Sequence, residues 1–172
     1  MQTGLSGWGR KRFYSKTLEK IPRAMQCWEN EKVLFALNLG DTIDFRGIKT
    51  EASKHLKEIV RKLTSSAFKT YHIFGNHEMI LMDRTEIIQT LNIPEKIDQD
   101  LDKCAYYSVT FEKHDLKLIV LDTYEISFVG RAKNHKNTEL ATKMTRDLQK
   151  KYPNDAHYQN WNGAIGVNQI KW

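Results

Sequence analysis

Cysteine is scarce in this sequence. The two cysteines, Cys27 and Cys104, stand far apart, and neither belongs to a CxxC pair. This spacing is not typical of a disulfide framework or of a thiolate metal site. We therefore expect two reduced thiols that tend to be buried, in a protein of the cytoplasm.

Long hydrophobic runs are missing as well. No apolar stretch reaches the roughly 18 residues that a membrane helix needs. The opening residues, MQTGLSGWGRKRFY, contain no apolar core of signal-peptide length. We expect neither a membrane partner nor secretion by that route.

The charge is basic, at +6, but it is not concentrated. Lysines alternate with acidic residues along the chain, and the densest basic cluster is the short run Arg10-Lys11-Arg12. A surface that binds the phosphate backbone of a nucleic acid is normally more concentrated. We expect a solvated, somewhat basic surface and no nucleic-acid partner. Local positive charge beside a site for an anionic substrate stays open as an alternative.

The chain has 172 residues, the length of about one domain, and its 28% charged and 40% hydrophobic residues are ordinary globular values. Apolar spacing predicts helices at 13–31, 51–63, 84–91 and 138–151, with a further helix beginning at 167–172. Pro22 is expected to kink or split the first of these. Strands are predicted at 32–39, where KVLFALNL should be buried on both faces, at 71–74, and at 106–111 and 116–121, which form a hairpin. No repeat or linker divides residues 1–172, so we expect one layered α/β domain.

Polar residues follow the predicted strands where each strand ends. LNLGDTID follows the first strand and IFGNHE the second. In open α/β sheets ligands bind at the carboxyl ends of strands, and a glycine in each motif lets the backbone turn sharply there. Asp41, Asn76 and His77 offer the oxygen and nitrogen ligands that suit manganese, iron or zinc. The pattern predicts part of a metal-centred hydrolytic site.

Each motif taken alone has a simpler interpretation. A Gly-Asp pair is usually a turn, and an Asn-His pair is usually turn chemistry or a helix cap. The two motifs together, after consecutive strands separated by one helix, favour the site. Asp122 after a later strand is expected to be structural, and His72 within a strand to be a satisfied core histidine. The other histidines lack paired spacing and are not assigned as ligands: His55, His114, His135 and His157.

GDTID at 40–44 and GNHE at 75–78 resemble the GDxxD and GNHD or GNHE motifs of the calcineurin-like metallophosphoesterases. Longer segments resemble one branch, the manganese-dependent ADP-ribose/CDP-alcohol diphosphatases. These segments are GWGRKRFYSKTLEKIPRAMQCWENE before the first motif, YYSVTF and LIVLDTYEIS after the second, and YQNWNGAIGVNQIKW at the end. The resemblance covers nearly the whole chain.

The resemblance implies a site with two divalent ions, manganese in the first place, with iron or zinc as alternatives. Asp41 would bridge both ions, Asn76 would ligate one of them, and Asp44 would orient the ligands from behind. His77 would be catalytic and meet the scissile phosphate. The implied substrate is a nucleotide diphosphate ester, such as ADP-ribose or a CDP-alcohol, which is cleaved at its pyrophosphate to give a nucleoside monophosphate.

The sequence departs from the family pattern near both ends. The family begins with Asp-x-His, or Asp-x-Gln in this branch, whereas residues 1–8 contain no aspartate. The later histidine and Gly-His-x-His motifs of the family do not occur before Trp172. We therefore expect a layered metallophosphoesterase-like β-sheet sandwich, flanked by helices and incomplete at both ends. Without a first strand, the run at 33–39 would keep an unpaired edge that favours aggregation or pairing with another chain.

Two classes of function stay open at this point. The first is the core of a diphosphatase that is inactive as this isolated chain, because the family's remaining ligands are missing from it. The second is a non-catalytic metallophosphoesterase-like domain that binds nucleotides or a partner. The sequence does not indicate an oligomeric state.

Overall fold

Helices and strands are interspersed along the chain in the computed structural model, which describes residues 15–44, 49–94, 96–97, 103–154 and 162–172. The helices are α1 (Ser15–Asn30), α2 (Lys49–Leu63), α3 (Asn76–Leu81), α4 (Arg84–Thr90), α5 (Lys136–Lys151) and α6 (Val167–Lys171). The strands are β1 (Phe35–Asn38), β2 (Lys69–His72), β3 (Lys96–Ile97), β4 (Lys103–Cys104), β5 (Tyr107–Phe111), β6 (Leu116–Val120), β7 (Ile126–Ser127) and β8 (Gly163–Ala164). The predicted α/β class is confirmed.

The strands pair two by two in the described part of the chain. β1 and β2 run parallel, with Phe35 opposite Lys69 and Asn38 opposite His72. Parallel neighbours need a crossover connection, and α2 provides it. The other pairs, β3–β4, β5–β6 and β7–β8, are antiparallel. Because β1 and β2 are parallel, the residues that follow them emerge at the same edge.

The main hydrophobic core lies between α2, α3, α4, the β1–β2 pair and the β5–β6 hairpin. Leu56 of α2 and Ile87 of α4 are fully buried in it. Phe111 of β5 stacks on Phe35 of β1 with 4.9 Å between ring centroids, and Tyr71 of β2 meets both rings edge-on. These aromatic contacts dock the hairpin on the parallel pair.

The helices predicted from apolar spacing are confirmed, with one correction. α2, α4, α5 and α6 match their predicted bounds within two residues. The predicted split at Pro22 is wrong, because α1 runs without a break from Ser15 to Asn30. Pro22 is exposed, and a proline removes only one hydrogen bond from the helix, so the remaining bonds keep the helix continuous. The first predicted turn, from Phe13, lies outside the described residues.

The first strand differs from its prediction. β1 covers only four residues and is not buried on both faces, because Leu37 is 45% exposed. Leu39, directly after the strand, is 71% exposed. Apolar composition reports a tendency to be buried, but burial needs a neighbouring element on each face. Within the described ranges, β1 pairs with β2 alone.

The predicted hairpin is confirmed as β5 and β6, which are joined by a 3-10 turn at Glu112–His114. Asp115 completes this turn in the left-handed region, at φ 46°. Aspartate tolerates that conformation better than most residues, so the polar EKHD segment can reverse the chain here.

The expectation for the cysteines is half right. Cys104 is buried, as expected, whereas Cys27 is exposed on α1. The described ranges contain no helix with the length and apolar character needed to cross a bilayer.

Candidate functional site

Two turns meet at the carboxyl ends of the parallel strands. We call residues 39–44, after β1, the Asp41 turn, and residues 73–77, after β2, the His77 turn. They touch at Gly40 and Gly75, where a Cβ on Gly40 would collide with the backbone of Gly75 and one on Gly75 with the Asp41 carboxylate. Gly40 also has a positive φ of 84°, which favours glycine. Both glycines are therefore required for the two turns to approach.

The Asp41 carboxylate lies directly against His77. Its Oδ1 accepts a hydrogen bond from the His77 backbone N–H at 3.1 Å, and its Oδ2 lies 4.0 Å from His77 Nε2. The Asp41 side chain is 48% exposed, whereas that of His77 is only 20% exposed. A carboxylate with this exposure can still accept a ligand, while the neighbouring imidazole is held in place.

The two other predicted site residues lie close by in the chain. Asp44 is partly buried and lines the same cavity as Asp41 and His77. Asn76 is the first residue of α3 and immediately precedes His77. Its side chain is partly buried, and it is not among the residues that line the cavity. The structure thus brings three of the four predicted residues to one cavity and places the fourth next to it in sequence.

The cavity has a volume of about 490 Å³, and both polar and apolar side chains line it. Asp41, Asp44 and His77 line it, as do apolar side chains of α1 and α2 that include Ile21 and Ile59. No lysine or arginine from the described ranges lines it, so local positive charge is not found at this wall.

A buried carboxylate that sequence reasoning did not single out connects the two turns. Glu78 is 0% exposed, and both of its oxygens accept backbone N–H groups. Oε2 accepts from Asp41 at 3.1 Å and from Gly75 at 2.9 Å, while Oε1 accepts from Ile43 at 3.3 Å and, at a shorter distance, from Thr42. The bond to Gly75 was detectable in sequence, since a Glu three residues after a helix cap is a known capping pattern. The bonds to the Asp41 turn are not local and leave no such signal.

His72 is a core histidine, as predicted. It is 5% exposed, and its Nδ1 lies 3.2 Å from the Asn38 side-chain amide, which can only donate. The Tyr107 hydroxyl donates to the His72 carbonyl at 2.9 Å and lies 3.1 Å from the His72 backbone N–H, which donates to it. Burial lowers the pKa of His72 from 6.5 to about 4. The ring is therefore neutral at pH 7 and ties β2 to β1, whereas the His72 backbone ties β2 to the hairpin.

Tyr124 also belongs to the surroundings of the site, although the sequence gave no indication of it. Burial raises the pKa of its hydroxyl, and the negative charges of Asp41 and Glu78 raise that pKa further. The Tyr124 backbone N–H donates to Asp122 Oδ1 at 3.1 Å, which fixes the turn that carries it. The phenol stays protonated near neutral pH and can act as a neutral hydrogen-bond donor in the field of the site.

Asp122 has the structural environment that the sequence analysis expected. It is 3% exposed, forms a close ion pair with the buried Arg84, and accepts from the Ala105 backbone N–H at 3.2 Å. Arg84 in turn lies over the Phe74 ring, with 4.9 Å from its guanidinium carbon to the ring centroid.

The other histidines do not come together at the site in the described part of the chain. His55 and His114 are exposed, and His135 caps α5, where its Nδ1 accepts from the Asn137 backbone N–H at 3.2 Å. His157 lies outside the described residues. Among the residues described, no group of three or more histidine, cysteine, aspartate or glutamate side chains is placed to hold a metal ion.

Comparison of the sequence with known proteins gives a consistent result. No family model matches the chain. The chain is 29% identical to a manganese-dependent ADP-ribose/CDP-alcohol diphosphatase from Arabidopsis thaliana, over 98% of this chain and 56% of that protein. It is 26% identical to the human protein of the same name, over 95% of this chain and 53% of that protein. The chain therefore spans about half the length of the curated relatives it matches.

The fold has a counterpart among solved structures. A dimetal phosphatase from Danio rerio superposes with a TM-score of 0.77 and 22% identity, over 98% of this chain and 58% of that one. This likeness confirms the predicted α/β fold. Together with the sequence comparison, it confirms the resemblance identified from the two motifs.

Proposed function

We propose that this chain carries the core of a metal-dependent hydrolase of nucleotide diphosphate esters. The substrate would be ADP-ribose or a CDP-alcohol, which is cleaved at its pyrophosphate to release a nucleoside monophosphate. One observation carries the proposal: two crossing turns hold the Asp41 carboxylate against His77 at the wall of a 490 Å³ cavity. The names of the similar plant and human proteins support the substrate class.

The donor set fits a divalent ion of the manganese type. The Asp41 carboxylate and the Asn76 amide oxygen are hard donors, and no cysteine belongs to the set. Asp41 would hold both of two manganese ions and Asn76 would ligate one of them, and iron or zinc would suit the same donors. When bound, two such ions polarise a phosphoryl group and make a bound water more acidic.

The remaining roles follow from position. His77 would meet the substrate phosphate, where it would either stabilise the developing charge or donate a proton to the leaving oxygen. The Asp41 carboxylate accepts from the His77 backbone N–H and so fixes the position of the residue. Asp44, on the same cavity wall, would orient the metal-binding side chains without binding the metal itself. Asn76 and His77 open α3, so the helix sets both side chains relative to the Asp41 turn.

We further propose that the chain by itself has little turnover. Asp41 and Asn76 are the two residues assigned as ligands among those described, and a pair of divalent ions needs several more donors. Ions held by so few protein atoms keep most of their water and dissociate readily. Residues 1–172 would form a single domain, located in the cytoplasm, where cysteines such as Cys27 and Cys104 stay reduced. Cell fractionation would test the location.

Manganese binding tests the metal assignment. We expect weak binding of Mn²⁺ to the 172-residue protein in a calorimetric or spectroscopic titration, and Asp41→Asn should lower the affinity about tenfold or more. Asp115→Asn is the matched control, because Asp115 shares the left-handed backbone of Asp41 (φ 46° against 50°) but lies in the hairpin turn. An unchanged affinity in Asp41→Asn would contradict the assignment of Asp41.

A hydrolysis assay tests the activity. The chain should release AMP from ADP-ribose, or CMP from a CDP-alcohol, slowly. The rate should rise with Mn²⁺ concentration in proportion to the fraction of protein that has metal bound. His77→Ala should lower this turnover and leave Mn²⁺ affinity unchanged, since His77 is assigned to the phosphate rather than to the metal. Robust turnover from a monomer would contradict the low-turnover proposal and redirect attention to His114, His135 and His157 as further ligands.

The second candidate is a non-catalytic domain that binds nucleotides or a partner. The small number of assigned ligands at the site favours it. It predicts that ADP-ribose binds without hydrolysis at every Mn²⁺ concentration, and that His77→Ala changes nothing but binding. The same assay therefore separates the two functions.

A further inference from the structure

Glu78 connects the two halves of the site through backbone groups rather than through side chains. Its carboxylate lies beneath the Asp41 turn and accepts the N–H groups of three successive residues there. It also accepts the N–H of Gly75 in the His77 turn, at 2.9 Å. One fully buried side chain therefore receives four hydrogen bonds from two turns that follow different strands.

These hydrogen bonds determine the conformation of Asp41. Asp41 has a left-handed backbone, at φ 50°, which an aspartate adopts only when its surroundings favour it. Successive N–H groups that converge on one anion require a turn of this kind. In this turn, the Asp41 carboxylate points at the His77 backbone N–H, from which it accepts at 3.1 Å.

The bonds are charge-assisted, and the carboxylate that accepts them is fully buried. Hydrogen bonds between a carboxylate and N–H groups are shorter and stronger than neutral ones, and a buried carboxylate is tolerated only when its oxygens are satisfied. Each Glu78 oxygen receives two N–H groups, so both oxygens are in use. The arrangement leaves no equivalent solution for an uncharged side chain.

We propose that Glu78 is a positioning residue that holds the Asp41 turn and the His77 turn in the geometry that manganese binding requires. Glu78 touches neither metal nor substrate in this assignment, and it acts through the backbone of Asp41. The link to manganese rests on the proposed function, whereas the hydrogen-bond geometry does not.

Glu78→Gln is the decisive variant. A glutamine has one oxygen and one NH₂ group, so in either orientation its NH₂ group faces two backbone N–H donors. Glu125→Gln is the matched control. Glu125 is also a buried carboxylate, 5% exposed, but both donors that the structure shows for it, Gly166 N–H and the Gln169 side-chain amide, contact Oε2 alone. A glutamine can satisfy both with its single oxygen.

The first measurement needs no variant. In the isotopically labelled 20.2 kDa protein, scalar couplings across hydrogen bonds should connect the amide nitrogens of Asp41, Thr42 and Gly75 with the carboxylate carbon of Glu78. The same amide protons should exchange slowly with solvent. Absence of these couplings in a well-ordered spectrum would overturn the proposal, and their presence supports it even if Glu78→Gln does not fold.

The second measurement compares the variants where both are folded. Glu78→Gln should shift the amide resonances of the Asp41 turn and lower Mn²⁺ affinity about tenfold or more. Glu125→Gln should leave both unchanged. A merely structural role of Glu78 predicts a lower urea midpoint for Glu78→Gln with unaltered Mn²⁺ affinity, and that result would overturn the proposal.

The outcomes separate this inference from the proposed function. If the unmodified protein binds no Mn²⁺, the metal assignment fails, and the amide resonances alone decide whether Glu78 positions the Asp41 turn. If the unmodified protein binds Mn²⁺ and Glu78→Gln binds it equally well, the metal assignment stands and the positioning role is wrong.

Discussion

Individual buried polar residues hold this fold together at the points where its segments meet. Asp122 is neutralised by Arg84, whereas Glu78 is satisfied by backbone N–H groups. His72 is a different case, because it is buried as a neutral residue and is hydrogen-bonded to Asn38 and Tyr107. A group buried in its neutral form makes stability depend on pH wherever the unfolded chain would take up a proton.

The buried state of His72 predicts a loss of stability in mild acid. Its pKa is about 4 in the folded protein and 6.5 in the unfolded chain, so the unfolded chain binds more protons between these values. The contribution of His72 to stability is therefore nearly constant above pH 6.5 and falls as the pH drops from 6.5 to 4. Below pH 4 it does not fall further. We expect a loss of about 2 kcal/mol between pH 7 and pH 5 from this residue, measured by urea unfolding.

Two variants isolate this contribution from that of the carboxylates. His72→Gln keeps an oxygen that can accept from Asn38 but cannot be protonated, so its pH dependence should be flatter than that of the unmodified protein. His114→Gln, at an exposed position in the hairpin turn, should leave the pH dependence unchanged. Equal slopes for all three proteins would refute the assignment to His72.

At the scale of elements, the buried side chain of Gln169 joins the short helix α6 to the rest of the fold. Gln169 is 4% exposed, and its Oε1 accepts from the Asp122 backbone N–H at 2.7 Å. Its Nε2 donates to the Asp122 carbonyl at 3.0 Å and to Glu125 Oε2 at 2.9 Å. α6 has only five residues, so these bonds rather than intrinsic helix stability hold it in place.

Removing this side chain should detach α6. Gln169→Ala leaves the Asp122 N–H and carbonyl without partners and takes one donor from the Glu125 carboxylate. Each buried polar group left unpaired costs about 1–3 kcal/mol, so we expect a loss of at least about 2 kcal/mol in the free energy of unfolding.

The neighbouring Ile170 provides the control for this prediction. It is 73% exposed on the same helix, so Ile170→Ala should change stability by no more than about 0.5 kcal/mol. Hydrogen exchange should show faster exchange in α6 and β8 of Gln169→Ala alone. Similar effects of both substitutions on unfolding would mean that α6 is held by its apolar residues.

The elements also show what apolar spacing can and cannot predict. Helices such as α2 were predictable because Leu56 and Ile59 repeat on one face and are buried against the core. The exposure of Leu37 was not predictable, because it depends on which elements lie beside β1. The role of Glu78 was not predictable either, because its partners in the Asp41 turn lie 35 to 37 residues away. The motif residues, Glu78 among them, were found by residue type and spacing, whereas the long-range hydrogen bonds of Glu78 were found from the structure.

For the molecule as a whole, exposed apolar side chains concentrate in a few places. Leu37 and Leu39 lie at β1, and Leu140, Met144 and Leu148 repeat every four residues along α5. Contiguous exposed apolar surface and an unpaired strand edge both favour association. The net charge of +6 opposes it, but only at long range and low salt.

We therefore expect the 172-residue protein to associate with itself as its concentration rises. Light scattering after size exclusion should give a mass above 20.2 kDa at high concentration, more so in high salt. Leu39→Lys, at the β1 edge, should reduce this association. Ile170→Lys is the control, since Ile170 is about as exposed, at 73% against 71%, but lies on α6. A constant monomer mass at all concentrations would contradict the expectation.

The distance in sequence between Glu78 and the Asp41 turn has a consequence for synthesis. The amides of residues 41–43 need a carboxylate that lies 35 to 37 residues later in the chain. At about 5–20 residues per second, the ribosome takes roughly 2 to 7 seconds to add those residues. During that interval the nascent Asp41 turn has no acceptor to fold around. By the time Glu78 is added, the other parts that the two turns require, from β1 to His77, have already been made. Site formation during translation is therefore timed by the emergence of Glu78.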